Sequence, residues 1–167
     1  MILICINYFK EIFTKLGVKS IYTSPEEESK FKGSQYVSIL EHENDQLVYD
    51  GSIIGKKDDL TTNKRTYYRR IYQVNSSIQI RIVAKDETTA TKLKNDFLIS
   101  IAKVIPDKDD CAIELFASTA TLIQDKSILK SGAGYEIVID CTGGIYKTRV
   151  VPLITEVVPE GEIAHDL

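Results

Sequence analysis

The stretch Lys64–Val83, KRTYYRRIYQVNSSIQIRIV, limits the possible folds more than any other part of the chain. Tyr67 to Val74 is dense in aromatic and β-branched residues, and Ile78, Ile80 and Ile82 alternate with Gln79 and Arg81. That period of two belongs to strands with one buried face. With Asn75-Ser76-Ser77 supplying turn chemistry between the two runs, the stretch predicts a β-hairpin. Its charge is equally unusual. From Leu60 to Val83 the cations Lys64, Arg65, Arg69, Arg70 and Arg81 occur with no carboxylate between them, in a chain whose net charge is −3.

At 167 residues the chain has the length of one domain and can bury an ordinary core without disulfides or metal. Its 43% hydrophobic and 27% charged content is that of a soluble globular protein. The mild negative balance argues against a general nucleic-acid binder, so any nucleic-acid contact would have to be local. No apolar run approaches the roughly 20 residues that span a bilayer. MILICINYF is apolar but lacks a cationic start and a small-residue cleavage site, and Lys10 and Glu11 interrupt it, so it does not read as a signal peptide. Cys5, Cys111 and Cys141 are odd in number and form no CxxC pair. They read as small buried residues in a reducing compartment rather than as zinc or disulfide partners.

Around the central stretch, Ile2, Ile6, Phe9, Phe13 and Leu16 fall at helical spacing, with Gly17 placed to end the helix. A short strand at Val18–Tyr22 is expected next, then a loop or helical turn from Pro25 through Glu26, Glu27 and Glu28. Tyr36 to Leu40 predicts a core strand. Residues 41–63 have no core pattern of their own, apart from the brief run Leu47–Tyr49 and the turn signal Asp50-Gly51, and predict a protruding ribbon or loop. Asp86 is placed to cap a helix carrying Ala90, Leu93, Phe97 and Ile101 on one face, which must stop before Pro106. Ala112 to Ile123 predicts a strand rich in Ala, Ser and Thr in its second half. Tyr135, Ile137, Ile139 and Cys141 alternate with Glu136, Val138 and Asp140, and Thr142-Gly143-Gly144 predicts a reversal into a last strand, Ile145–Leu153, with Lys147 and Arg149 on one face. The fold class is therefore α+β, a mostly antiparallel sheet with two helices packed on one side. Residues 1–153 form one domain, and 154–167 form an acidic flexible tail with four carboxylates and no lysine or arginine.

Catalytic signals are weak. His42 and His165 have no nucleophile at a recognisable spacing, and no GxSxG-type motif occurs. Asp107, Asp109 and Asp110 with Glu114 lack the glycine and distal glutamate of a calcium loop and read as a solvated acidic turn. The glycine pairs do not lie between a strand and a helix N-terminus, so they read as turns rather than phosphate cradles. No cofactor and no metal are expected, and no enzyme.

The basic stretch has two readings. Its arginines could lie over tyrosine rings on a solvated face, or they could form a contact surface, since Arg and Tyr are enriched in protein interfaces. The acidic residues Glu26–Glu28, Asp107–Asp110 and the tail offer a complement, so head-to-tail contacts could close a ring.

An N-terminal helix, a strand and excursion, the strand YYRRIYQV turning into IQIRIVA, the helix DETTATKLKNDFLISI and the late GYEIVIDCTGGIYKTRVV together resemble the tail terminators and related head–tail joining proteins of tailed bacteriophages and prophages. The resemblance covers roughly residues 2 to 153. It implies a structural virion protein, assembled in the bacterial cytoplasm, that forms a homo-oligomeric and typically hexameric ring. Such a ring caps the tail tube, stops its polymerisation and joins it to the head. The implied partners are other copies of the chain, the tail-tube protein and a head-completion or connector protein, with no membrane and no specific nucleic acid. Tyr67, Arg69, Arg70, Tyr72 and Arg81 are the candidate interface residues, the arginines as subunit or tube contacts and the tyrosines as anchors. No family site carries over to residues 41–63 or to the tail. Other readings are another phage structural subunit (head-closure ring, tail tube or baseplate), an α+β enzyme or nucleic-acid-binding domain using the basic hairpin, and an unrelated adaptor.

Overall fold

A computed structural model describes residues 1–30, 35–107, 111–124 and 132–153. The tail expected at 154–167, and Asp109 and Asp110 of the expected acidic turn, lie outside the described residues. The elements run α1 (Ile2–Lys15), β1 (Ile21–Tyr22), α2 (Pro25–Lys30), β2 (Tyr36–Tyr49), β3 (Ile53–Asp59), β4 (Lys64–Ala84), α3 (Glu87–Ser100), β5 (Val104–Pro106), β6 (Ala112–Leu122) and β7 (Ala133–Pro152). One sheet has the order β1-β2-β4-β7-β6-β5, with β3 also paired to β4. Its pairings are antiparallel except β1 with β2. The architecture is the expected α+β sheet, with α1 and α3 on one side.

The core is built from the alternation read in the sequence. Ile78, Ile80 and Ile82 of β4 and Ile137 and Ile139 of β7 are fully buried. They meet Phe9 and Phe13 of α1 and Phe97 of α3 in one cluster. Phe13 stacks on Phe97 at 4.4 Å between centroids, and Phe9 meets the same ring edge-on at 5.8 Å. Asp86 caps α3 by accepting from the Thr89 backbone N–H at 2.7 Å, which satisfies a donor the helix itself cannot. The acceptance holds the Asp86 carboxyl below the usual carboxylate range. Cys5, Cys111 and Cys141 are buried.

Two expected hairpins are corrected. Lys64–Ala84 is one strand of 21 residues, and Ala133–Pro152 is one strand of 20. Asn75-Ser76-Ser77 makes no turn because it lies mid-sheet, between β2 on one side and Thr142, Cys141 and Asp140 of β7 on the other. Its polar side chains are used across the strands. The Asn75 side-chain oxygen accepts from Gln73 Nε2 at 3.0 Å and from Thr142 Oγ1 at 3.2 Å, and Ser76 donates to Asp45. Gly143-Gly144 is likewise extended, and glycine stands there for close packing. A Cβ on Gly144 would come within 2.8 Å of Arg70 Cδ and of the Tyr146 ring, and one on Gly143 would meet the Met1 sulfur.

The reversal instead occupies residues 60–63. Asn63 takes φ 54°, and Asp59 accepts from the Thr61 backbone N–H at 2.9 Å and from Thr62 Oγ1 at 2.6 Å. Most of residues 41–63, expected as a protruding ribbon or loop, is strand, the end of β2 and β3. β2 runs along β4 from Val83 down to Tyr72, and β3 continues in the same direction from Arg69 to Lys64. The corner between them is Asp50-Gly51-Ser52, where Gly51 adopts φ +71° at little steric cost.

Candidate functional site

A strand of 21 residues extends about 70 Å at roughly 3.3 Å per residue. The helices cover only its second half, from Val74 onward. Beyond it β3, the first half of β4 and the end of β7 form a three-stranded ribbon in which no residue is buried. Among the described residues both borders of the ribbon are open: β3 has β4 as its only partner, and β7 pairs with β6 only up to Thr142, which leaves Ile145–Pro152 with no described partner on the outer side. Of the 14 large apolar side chains exposed among the described residues, nine lie on the ribbon or on the end of β2 that leads into it. Tyr49 (67%), Ile53 (65%) and Leu60 (82%) are the most exposed of the nine. Isolated strands with open borders and exposed apolar side chains are ready templates for pairing with another chain.

A bulge at Ile71 shifts the alternation, so the ribbon's two faces are set by register with β7. The face continuous with the core carries Tyr72 opposite Ile145, Arg69 opposite Lys147, and Tyr67 opposite Arg149. Tyr72 meets Tyr49 edge-on at 5.8 Å. Ile53, Tyr67, Arg69, Arg149 and Val151 line an open cleft of about 370 Å³ on this face. Arg70 points to the other face, beside Tyr68 and Tyr146, where the chain forms a second cleft of about 540 Å³.

The structure therefore gathers four of the five expected residues, Tyr67, Arg69, Arg70 and Tyr72, on the ribbon and divides them between its faces. Arg81 lies nine residues further along β4, about 30 Å away. Its side chain is 18% exposed, and the guanidinium donates to Glu28 of α2 at 2.7 Å and to Glu136 at 3.3 Å. Burial opposes its charge, but the bonds to Glu28 and Glu136 prevail and hold its pKa above the ordinary arginine value. The same corner buries Tyr36, whose phenol is pushed up to about 12 by burial and by the Glu28 carboxylate.

Other arginines that look unbalanced in the sequence are balanced through space. Arg65 holds Asp58 across the β3–β4 pair with two bonds, 2.6 and 2.8 Å. That contact keeps the Asp58 carboxyl below its usual range. Arg70 pairs with Asp50, which Ser52 and Arg70 together keep ionised to lower pH than usual. Arg69 Nε donates to the Gly51 carbonyl at 2.7 Å. Arg69 and Arg70 thus clamp the 50–52 corner in addition to lying on the ribbon.

Among the described residues Lys147 and Arg149, like Arg69 beside them, have no ion-pair partner. The sequence pattern placed them on one face of a final strand. It did not place them beside Arg69 and Tyr67, because that requires β7 to continue through Gly143-Gly144.

His42 is exposed on β2, and His165 lies outside the described residues. Among the described residues no three His, Cys, Asp or Glu side chains gather as a metal site. The Cys141 thiol, hydrogen-bonded to Cys5 and buried, is pushed up, away from the thiolate that nucleophilic chemistry needs. No protein-family model matches the chain, and no curated protein matches it.

Proposed function

We propose that this chain is a structural subunit of a tailed-bacteriophage or prophage virion, of the tail-terminator kind. In this reading it closes into a homo-oligomeric ring, six copies by the resemblance, at the end of the tail tube. The ring stops tube polymerisation and offers a face to a head-completion protein. The work is mechanical, and no bond is made or broken. The observation that carries the reading is the three-stranded ribbon with two open borders, which displays aromatic, aliphatic and cationic side chains well beyond the helix-covered core. A lone chain gains nothing from exposing such a surface, whereas a neighbouring polypeptide can complete its backbone pairing. A ribbon open on opposite borders is suited to head-to-tail contacts, which close into rings when the rotation per step allows.

The test is mass photometry and negative-stain imaging across a concentration series, with Lys147→Glu/Arg149→Glu as the informative variant. Those two side chains hold no ion pair within the described residues, so their reversal leaves the fold intact. Wild type is expected to form closed particles of one stoichiometry, and the variant is expected to stay monomeric with an unchanged melting temperature. A wild type that stays solitary at every concentration, or a variant that assembles as well as wild type, refutes the reading.

A further inference from the structure

The sheet has a further open border, and its charge is opposite to that of β7. β1 pairs with β2 only at Val37 and Ser38, so among the described residues the outer side of β2 from Ile39 to Tyr49 has no partner. That border carries Glu41 and Asp45, both exposed and neither in an ion pair among the described residues. Glu41 lies opposite the buried Ile78, and Asp45 accepts from Ser76, so both carboxylates stand on the core-continuous face. The irregular pairing between Glu41 and Gln46 sets their spacing. It fits four steps of β2 against two of β4, which places the carboxylates roughly 7 Å apart along the sheet.

Across β4, Lys147 and Arg149 stand two residues apart on the same face of β7, beside the border that is open from Ile145 onward. Two carboxylates on one border thus match two cations on the opposite border in face and in spacing. Pairing either border with its own copy would instead oppose like charges. β2 and β7 both run antiparallel to β4 and are therefore parallel to each other. A second copy moved sideways, without being turned over, brings its β2 alongside this β7 in parallel and keeps the charged face in common. Glu41 then meets Lys147, Asp45 meets Arg149, and the exposed Leu47 meets Val151, while each strand takes up the other's open backbone groups. The acidic pair lies level with Ile78 and the basic pair begins level with Arg69, nine residues away along β4, or about 30 Å. Successive copies are therefore staggered, and their strands lie oblique to the axis around which they close.

We infer that the Lys147/Arg149 border of one copy pairs in parallel with the Glu41/Asp45 border of the next. The inference rests on the ring reading and names the two surfaces that build the ring. The experiment is a charge exchange scored by mass photometry, with a thermal melt of every variant to establish that it is folded. Glu41→Lys/Asp45→Lys and Lys147→Glu/Arg149→Glu are each expected to stay monomeric at concentrations where wild type assembles, because like charges then face each other at the junction. Their equimolar mixture, and a chain carrying all four substitutions, should assemble again, since each reversed border meets its complement. Should loss of the Ser76 contact lower the melting temperature of the Asp45→Lys chains, Glu41→Lys exchanged with Lys147→Glu gives the same comparison. A Glu41→Lys chain that assembles as well as wild type, or a mixture and a fully exchanged chain that both stay monomeric, overturns this pairing and leaves the ring reading standing. A wild type that is solitary at every concentration removes both.

Discussion

Replacing Arg81 by alanine separates a residue that holds the fold together from one that grips a partner. The bond from Arg81 to Glu28 is 2.7 Å long and joins side chains that are 18% and 14% exposed. A hydrogen bond to a charged group in such surroundings contributes roughly 1.5–3 kcal/mol. The second bond, 3.3 Å to a Glu136 side chain that is 36% exposed, adds only about 0.5 kcal/mol. Alanine removes both and strands the Glu28 carboxylate beside the buried Tyr36, so a loss of about 2–3 kcal/mol is expected. In a domain of this size each kcal/mol moves the melting temperature by roughly 2–4 °C, so Arg81→Ala should melt about 5–10 °C lower. Adding Glu28→Gln to Arg81→Met should recover more than half of the loss, because the uncompensated carboxylate is then gone. Thermal melts followed by circular dichroism, with assembly scored in parallel, decide the matter. An unchanged melting temperature together with lost assembly would refute the reasoning and return Arg81 to the interface.

Three further outcomes follow from the packing. Phe97→Ala removes the ring shared by Phe9 and Phe13 and should cost roughly 3–5 kcal/mol, read as a lower urea midpoint at constant slope. Gly144→Ala should destabilise by about 1–3 kcal/mol, because its Cβ would stand 2.8 Å from Arg70 Cδ and from the Tyr146 ring. Neutral melting behaviour would show that the 70/146 contact yields freely. Tyr36 titrates at about 12 in the folded chain, above its ordinary value near 10. The folded state therefore binds this proton more tightly than the unfolded state. The stability it contributes is complete below pH 10 and is lost as pH rises from about 10 to 12. Urea midpoints across that range should fall for wild type and be flatter for Tyr36→Phe.

The core was legible in the sequence because its period is local. The Ile78/Ile80/Ile82 and Ile137/Ile139/Cys141 alternations fall on the buried face, and Ala90 and Phe97 are buried on α3 where the helical spacing put them. Asp86 caps that helix as its position predicts. Turns were the weaker inference. Asn-Ser-Ser and Thr-Gly-Gly are turn-formers only when nothing pairs with them; here Asn75–Ser77 lies between β2 and β7, and Thr142-Gly143-Gly144 is held extended along β4. Conversely, Leu60-Thr-Thr-Asn63 turns because Asp59 satisfies its amides, a weaker signal on the page than either glycine pair. The charge reading shows the same limit. Five cations without a neighbouring carboxylate looked like one patch, but Asp50, Asp58, Glu28 and Glu136 reach three of them from other elements. The proposed contact surface remains the ribbon. The particular residues shift toward Tyr67, Tyr72, Lys147 and Arg149.

The central claim is that the open borders of the ribbon are completed by another polypeptide. Hydrogen exchange at Ile145–Pro152, compared between the lone chain and the assembled particle, tests this most directly. The outward-facing amides of that segment should exchange quickly in the lone chain and slow by roughly a hundredfold on assembly, while the already buried Ile137–Cys141 amides stay as they were. Unchanged exchange at 145–152 in a fully assembled particle would contradict the account.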